Sequence, residues 1–297
     1  MKLLTYRKCN EDVDVVGILH KNECTVVPVS KFGLQYQSMN QLIEKITEEE
    51  RYKLQQAANA DEVFLLSIDK IILRAPIPVP KQDIICIGVN YKEHAEESAR
   101  YKKEAFTIKA DYPVYFSKRV NEAMAHKDEI SDYHNIVDSL DYEVELAVII
   151  GKDAKNISLE NAFDCVFGYT ILNDMSARNL QMRHNQWYFG KSLDGFTPMG
   201  PYIVTADEVP RPPVLMIQSY VNGELRQNSN TDQLIFGIDY VIHELSQGMT
   251  LKAGTIISMG TPSGVGMGFH PPKFLQPGDV VECSIERIGT ISNRIKG

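Results

Sequence analysis

From Ile84 onward the sequence is cut into short β-like runs, "IICIGV", "PVYFSK", "VELAVII", "CVFGYTIL", "GPYIVT", "VLMIQSYVNG", "TIISMG" and "VVECSIERIG", punctuated by Gly, Pro and Asn. Only a few helical patterns intervene, around 91–104, 158–164, 175–182 and 239–247. Alternating βαβ units need a helix between successive strands, so the pattern predicts an α+β, β-rich fold instead, a mixed β-roll or barrel-like sandwich. The start of the chain reads differently. "KLLTYR", "DVVGILH" and "CTVVPVS" read as strands and residues 39–58 as one helix, a small α/β unit without any constellation of reactive groups. Pro76, Pro78 and Pro80 in "LRAPIPVPKQD" can continue neither a helix nor a central strand. This connector predicts a domain boundary, with a small N-terminal domain over 1–75 and a larger domain over 76–297.

Composition narrows the function class. With 297 residues, 43% apolar and 24% charged, the chain matches soluble globular proteins and has ample length for a core, which excludes disordered and fibrous classes. A formal charge of −8 and a pI near 5.4 argue against nucleic acid as the main partner, because phosphate binding needs an excess of clustered Lys and Arg. A small-molecule substrate is expected. Cys9, Cys24, Cys86, Cys165 and Cys283 form no C-x-x-C pair, which fits a reduced setting. The N-terminal apolar patch is too short for a signal peptide, and no apolar run reaches membrane-spanning length. The expectation is a cytoplasmic protein with no membrane partner.

The stretch "SLDYEVELAVIIGK" alternates acids with apolar residues and then turns wholly apolar. Residues two apart in a strand share a face, so Glu143 and Glu145 can aim two carboxylates at one point. The same alternation also fits the wet face of a half-buried strand. Asp174 follows an apolar strand in "GYTILNDMSARNLQ", at a strand-to-helix corner where an N-cap is the plain alternative. Together the three acids suit Mg²⁺ or Mn²⁺, which prefer oxygen and keep several waters. Zinc is disfavoured, since neither Cys nor His accompanies them. Asp141 shares the alternation, but reads as part of a solvated approach to the site.

In "GVNYKEHAEES", His94 and Glu97 lie three apart, so on a helix the carboxylate can orient the imidazole as a general base for water. A solvated helix face explains the same charge-rich segment. Lys191, in a loop before "SLDGFTPMGP", can reach an enolate oxygen as a point charge, or be an ordinary exposed lysine. The Gly-rich "MGTPSGVGMGFHPP" lacks the Lys-Ser/Thr ending of a P-loop, and its Pro-Pro cannot open a phosphate-binding helix. Nucleotide binding is rejected. Thr261 in that loop can meet a small carboxylate, or sit in a plain turn.

Taken in order, "GVNYKEHAEE", "DYEVELAVIIGK", "GYTILNDMSARNLQ", "GKSLDGFTPMGP", "VNGELRQNSNTDQLIF" and "GTPSGVGMG" resemble the fumarylacetoacetate hydrolase family over roughly residues 80–295. The resemblance implies a mixed β-roll catalytic domain, usually dimeric, that binds Mg²⁺ or Mn²⁺ and acts on short 2-oxo or 2,4-dioxo acids. It assigns Glu143, Glu145 and Asp174 as metal ligands and His94 with Glu97 as a water-activating pair on a mobile lid. Lys191 matches the active-site lysine, Thr261 the substrate-carboxylate contact, and Arg178 and Gln181 the polar residues beside the metal. Val144 departs from the smaller residue common between the two glutamates. The implied reactions are acylpyruvate or fumarylpyruvate hydrolysis, or oxaloacetate decarboxylation. Diene-dioate isomerisation, or a non-catalytic metal-binding protein on the same scaffold, are the alternatives. The lid segment 98–113 carries no substrate-specific pattern.

Overall fold

The computed structural model describes residues 1–61, 64–102 and 111–297. Its centre is the strand Val144–Ile150, buried at every residue. Side chains alternate across a strand, so an unbroken apolar run requires cover on both faces. Leu146, Val148 and Ile150 share a core with Ile217, Val281 and Ile285, whereas Ala147 and Ile149 share one with Ile84, Ile256, Leu3 and Ile18. The strand is thus clamped between a second sheet and a layer that includes the N-terminal region.

Eleven strands among the described residues form the main sheet. Its path runs from Leu66–Ser67 through Thr25–Pro28, Val15–Leu19, Lys2–Lys8, Met199–Thr205, Val166–Asn173 and Val144–Ile150 to Ile256–Ser258, Ile84–Gly88 and Val114–Lys118. Ile71–Leu73 pairs with Lys2–Lys8 off that path. Pairing is antiparallel except between Ile256–Ser258 and Ile84–Gly88. A five-stranded sheet packs on it, ordered Glu224–Asn230, Met216–Val221, Val280–Ile285, Gly289–Lys296 and Glu129–Ser131, the last pair parallel. The helix Ile238–Gly248 buries Ile238, Val241, Ile242 and Leu245, the i, i+3, i+4, i+7 stripe of an amphipathic helix. The fold is the β-rich α+β class that the short punctuated runs predict.

Three element boundaries differ from the sequence reading. The helix expected over 39–58 is two, Met39–Lys45 and Glu48–Asn59. Thr47 starts the second with a capping box: its hydroxyl accepts from Glu50 N at 3.2 Å and Glu50 Oε2 accepts from Thr47 N at 2.9 Å. Residues Leu159–Cys165 form a 3-10 helix. The helix expected from 175 begins at Arg178, because Ser176 and Ala177 instead pair with Asp141 and Leu140. Of the segment 98–113, residues 103–110 lie outside the described residues. Among the described residues no helix is long and apolar enough to cross a membrane.

Candidate active site

The acids and bases come from element ends that the main sheet brings together. Val144 pairs with Asn173, which places Glu143 and Asp174 side by side just beyond the two strands, with Asp174 N donating to Glu143 O at 2.8 Å. Glu145 lies one register step inside, on the same face as Glu143. One oxygen from each of Glu143, Glu145 and Asp174 can lie within 4.8 Å of the others. Arg178 opens the helix Arg178–Arg183, and Lys191 closes the short helix Tyr188–Lys191 rather than sitting in a loop.

Burial decides between the alternative readings. Glu143, Glu145 and Asp174 are 5%, 2% and 0% exposed, so they form no wet face. Asp174 caps no helix: Ala177 holds the N-cap position without a side-chain bond, while the Asp174 oxygens accept from Lys118 Nζ at 2.7 Å and Lys191 Nζ at 2.6 Å. Lys191 is itself buried and also donates to Glu143 Oε2 at 2.8 Å. Arg178 Nη1 reaches Glu143 Oε1 at 2.6 Å and Gln181 Oε1 at 3.0 Å. Arg178 Nη2 is buried without a partner among the described residues, at a wall of the cavity.

The field of these cations sets the ionisation. Burial pushes the Glu143 carboxyl upward, but Lys191 and Arg178 outweigh it and hold it below the usual carboxylate range. Glu145 goes the other way, raised well above that range by burial and by the neighbouring Asp174 and Glu143. Burial disfavours the Lys191 ammonium, yet Asp174 and Glu143 raise its pKa above the ordinary value.

His94 and Glu97 are buried on the helix Lys92–Lys102, with His94 Nδ1 and Glu97 Oε2 at 2.9 Å. A carboxylate accepts only, so the geometry assigns the proton to Nδ1 and leaves Nε2 as the basic nitrogen. Glu97 Oε1 accepts from Gly264 N at 3.0 Å, which ties this helix to the Gly-rich loop. The Thr261 hydroxyl is committed internally: it donates to Val144 O at 3.0 Å and accepts from Gln227 Nε2 at 2.7 Å. Val144 faces the core, as expected of a neighbour pointing away from the acids.

Two residues escaped the sequence reading. Asp141 is not solvated: it is fully buried, and its carboxylate accepts from Arg178 Nε at 2.9 Å and from Gly266 N at 2.7 Å. The signal was its shared parity with Glu143 and Glu145, which the burial of Arg178 converts from a solvated pattern into an ion pair. Lys118 is the second. It ends the edge strand Val114–Lys118, is fully buried, and also donates to the carbonyls of Met175 and Lys191. Its place two residues beyond Phe116 in an alternating strand was the available signal.

The cavity has a volume of about 60 Å³. His94, Glu143, Glu145, Arg178, Gln181 and Lys191 line it, with Thr261 from the Gly-rich loop. Asp174 joins through Lys191, and Glu97 through His94. All nine expected site residues therefore belong to one connected arrangement. An oxygen-only donor set of three buried acids fits a hard divalent cation such as Mg²⁺ or Mn²⁺.

The opposite wall is apolar. Trp187 packs edge-on against Phe116, with centroids 5.2 Å apart at 70°, and lies flush on Gly88, where an added Cβ would overlap its ring. Gly88→Ala is therefore expected to displace the indole from its place against Phe116 and to shift its fluorescence emission. Trp187 is the sole tryptophan, so its emission reads the change directly. An emission spectrum unaltered in the variant would contradict the assigned packing.

Comparison with known proteins supplies an independent line. The sequence profile of the fumarylacetoacetate (FAA) hydrolase C-terminal domain matches residues 83–296. The oxaloacetate tautomerase YisK of Bacillus subtilis (strain 168) is 48% identical over 232 residues, covering 78% of this chain and 75% of that protein. Among solved structures, the fumarylacetoacetate hydrolase from psychrophilic Exiguobacterium antarcticum superposes with a TM-score of 0.84 at 36% identity, covering 100% of this chain and 99% of that one. The maleylpyruvate hydrolase from Sphingobium sp. SYK-6, solved with manganese(II) ion and pyruvate, superposes with a TM-score of 0.79 at 27% identity over 100% and 99% of the two chains.

Proposed function

The chain belongs to the fumarylacetoacetate hydrolase family of enzymes, and from that premise we propose that it acts on small 2-oxo or 2,4-dioxo acids with Mg²⁺ or Mn²⁺ held by Glu143, Glu145 and Asp174. The observation that carries the reading is the buried three-acid cluster with Lys191 spanning two of its members and the His94–Glu97 pair facing the same small cavity.

Charge balance supports an anionic ligand that binds together with a divalent cation. Four carboxylates, Asp141, Glu143, Glu145 and Asp174, meet three cations, Lys118, Arg178 and Lys191, so the fully ionised network carries one net negative charge. A dianion alone would raise that to three negative charges in a buried site, whereas a dianion with a divalent cation leaves it unchanged. When bound, the cation would supply Lewis acidity toward a carboxylate oxygen and the 2-oxo oxygen.

The chain's own groups do the rest. Arg178 Nη2 offers its unpaired donor to a substrate oxygen. In this reading Lys191 Nζ stabilises the negative charge that gathers on the 2-oxo oxygen as a bond at C3 breaks. In hydrolysis, His94 Nε2 takes a proton from water, the resulting hydroxide attacks the distal carbonyl, and the C–C bond electrons pass into the enolate of the 2-oxo acid, which is then protonated at carbon. Glu97 fixes the imidazole and balances the imidazolium.

The 48% identical Bacillus relative, named for oxaloacetate tautomerisation, favours a second reaction at the same site. There no water attacks; a proton moves between C3 and the C2 oxygen. Decarboxylation of oxaloacetate and isomerisation of diene-dioates use the same enolate. Purified protein assayed with oxaloacetate, by the decay of its enol absorbance and by CO₂ release, and with acetylpyruvate and fumarylpyruvate separates these reactions. Turnover of at least one is expected; tight metal binding with none turned over would favour the non-catalytic alternative. By the same family reasoning the assembly is a homodimer, with residues 1–75 accessory to a catalytic region over 76–297.

A further inference from the structure

The Asp141 carboxylate touches both halves of the site without lining its cavity. Oδ2 accepts from Arg178 Nε at 2.9 Å and Met267 N at 3.0 Å, and Oδ1 accepts from Gly266 N at 2.7 Å and Tyr142 N at 3.0 Å. On one side, Arg178 continues to the acidic cluster through Glu143. On the other, the loop held by those two amides binds Glu97, whose Oε1 accepts from Gly264 N. Gly268 in the same loop lies so close that a Cβ there would collide with Glu97 Oε1. Glu97 then holds His94. A continuous run of hydrogen bonds and contacts therefore leads from Glu143 to the imidazole, with Asp141 at its midpoint.

We propose that Asp141 is a positioning residue that couples the acidic cluster to the His94–Glu97 pair, fixing the Arg178 guanidinium and seating the loop that receives Glu97 with one carboxylate. The carboxyl group is specifically required. Four donors converge on it, and an amide at this position would offer one acceptor oxygen while turning its NH₂ toward groups that themselves donate. The alternative, that Asp141 only stabilises the local fold, predicts no effect specific to the helix that carries His94, because among the described residues the partners of Asp141 all lie off that helix. The catalytic meaning of the coupling rests on the proposed role of the His94–Glu97 pair, but the coupling is measurable without substrate.

The test uses the full chain, free of substrate, by NMR of the imidazole N–H protons and by amide hydrogen exchange. The His94 Nδ1–H resonance is identified by its loss in His94→Gln. In Asp141→Asn that resonance is expected to broaden or vanish, and the amides of 92–99 to exchange at least about tenfold faster, while those of 144–150 and 166–173 stay within about twofold. A retained resonance with unchanged exchange at 92–99 overturns the proposal, as does acceleration shared equally by every element. Should Asp141→Asn fail to fold, Gly268→Ala displaces Glu97 while leaving Asp141 in place. Coupling is reciprocal, so the Gly266 and Met267 amides should then exchange at least about tenfold faster; unchanged exchange there overturns it. Turnover plays no part in these readouts, so the coupling fails or stands separately from the proposed reaction.

Discussion

His94→Ala is expected to lower acylpyruvate hydrolysis by about 10²–10⁴-fold, the usual contribution of a positioned general base. The imidazole is the basic group that the structure leaves with an unpartnered nitrogen among the described residues lining the cavity, since Lys191 is held charged by Asp174 and Glu143. The loss should fall on kcat, because His94 takes its proton during the reaction. Decarboxylation of oxaloacetate releases CO₂ without an attacking water, so it should fall by less than about tenfold in the same variant. Steady-state assays on both substrates measure the split. Equal losses on both would move His94 from base to a structural part of the helix Lys92–Lys102, and full retention of hydrolysis would remove the pair from the mechanism.

Glu143→Gln is the second large effect. Glu143 is at once one of the three acids and the anionic partner of Arg178 and Lys191. Neutralising it removes a ligand charge and leaves two buried cations short of a counter-charge, a loss in addition to the missing metal–oxygen bond. Manganese affinity should fall by more than the roughly 10–100-fold typical of losing an outer partner of a metal ligand. Turnover at saturating substrate should fall with it and recover in part at high Mn²⁺. Calorimetric titration of Mn²⁺ into the wild type and the variant gives the affinity ratio. A variant that binds Mn²⁺ as the wild type does would place the cation elsewhere.

Much of this site was legible in the chain because its signals are local. The spacing of Glu143 and Glu145 fixes a shared face, and the spacing of His94 and Glu97 fixes a helical pair. The punctuated runs after Ile84 gave away a β-rich fold for the same reason. What stayed hidden depends on contacts between distant segments. Lys118 meets Asp174 across 56 positions, and Asp141 meets Gly266 across 125. The local parity of each residue hints at a shared face, but only these distant partners decide that Lys118 and Asp141 are buried and ion-paired rather than solvated. The Lys191 and Thr261 environments were likewise set by distant partners, Asp174 and Gln227. The split of the 39–58 helix is different: Thr47 and Glu50 carry a capping-box spacing within four residues, a local signal overridden by the longer apolar periodicity.

The central claim is that a divalent cation on Glu143, Glu145 and Asp174 makes the 2-oxo acid chemistry possible. Its most direct test is turnover of oxaloacetate and acetylpyruvate by protein stripped with a chelator, then titrated with Mg²⁺ and with Mn²⁺. Stripping should abolish turnover, and either ion should restore it with a midpoint that matches calorimetric binding at one site per chain. Undiminished turnover after stripping, with no dependence on added metal, would contradict the account.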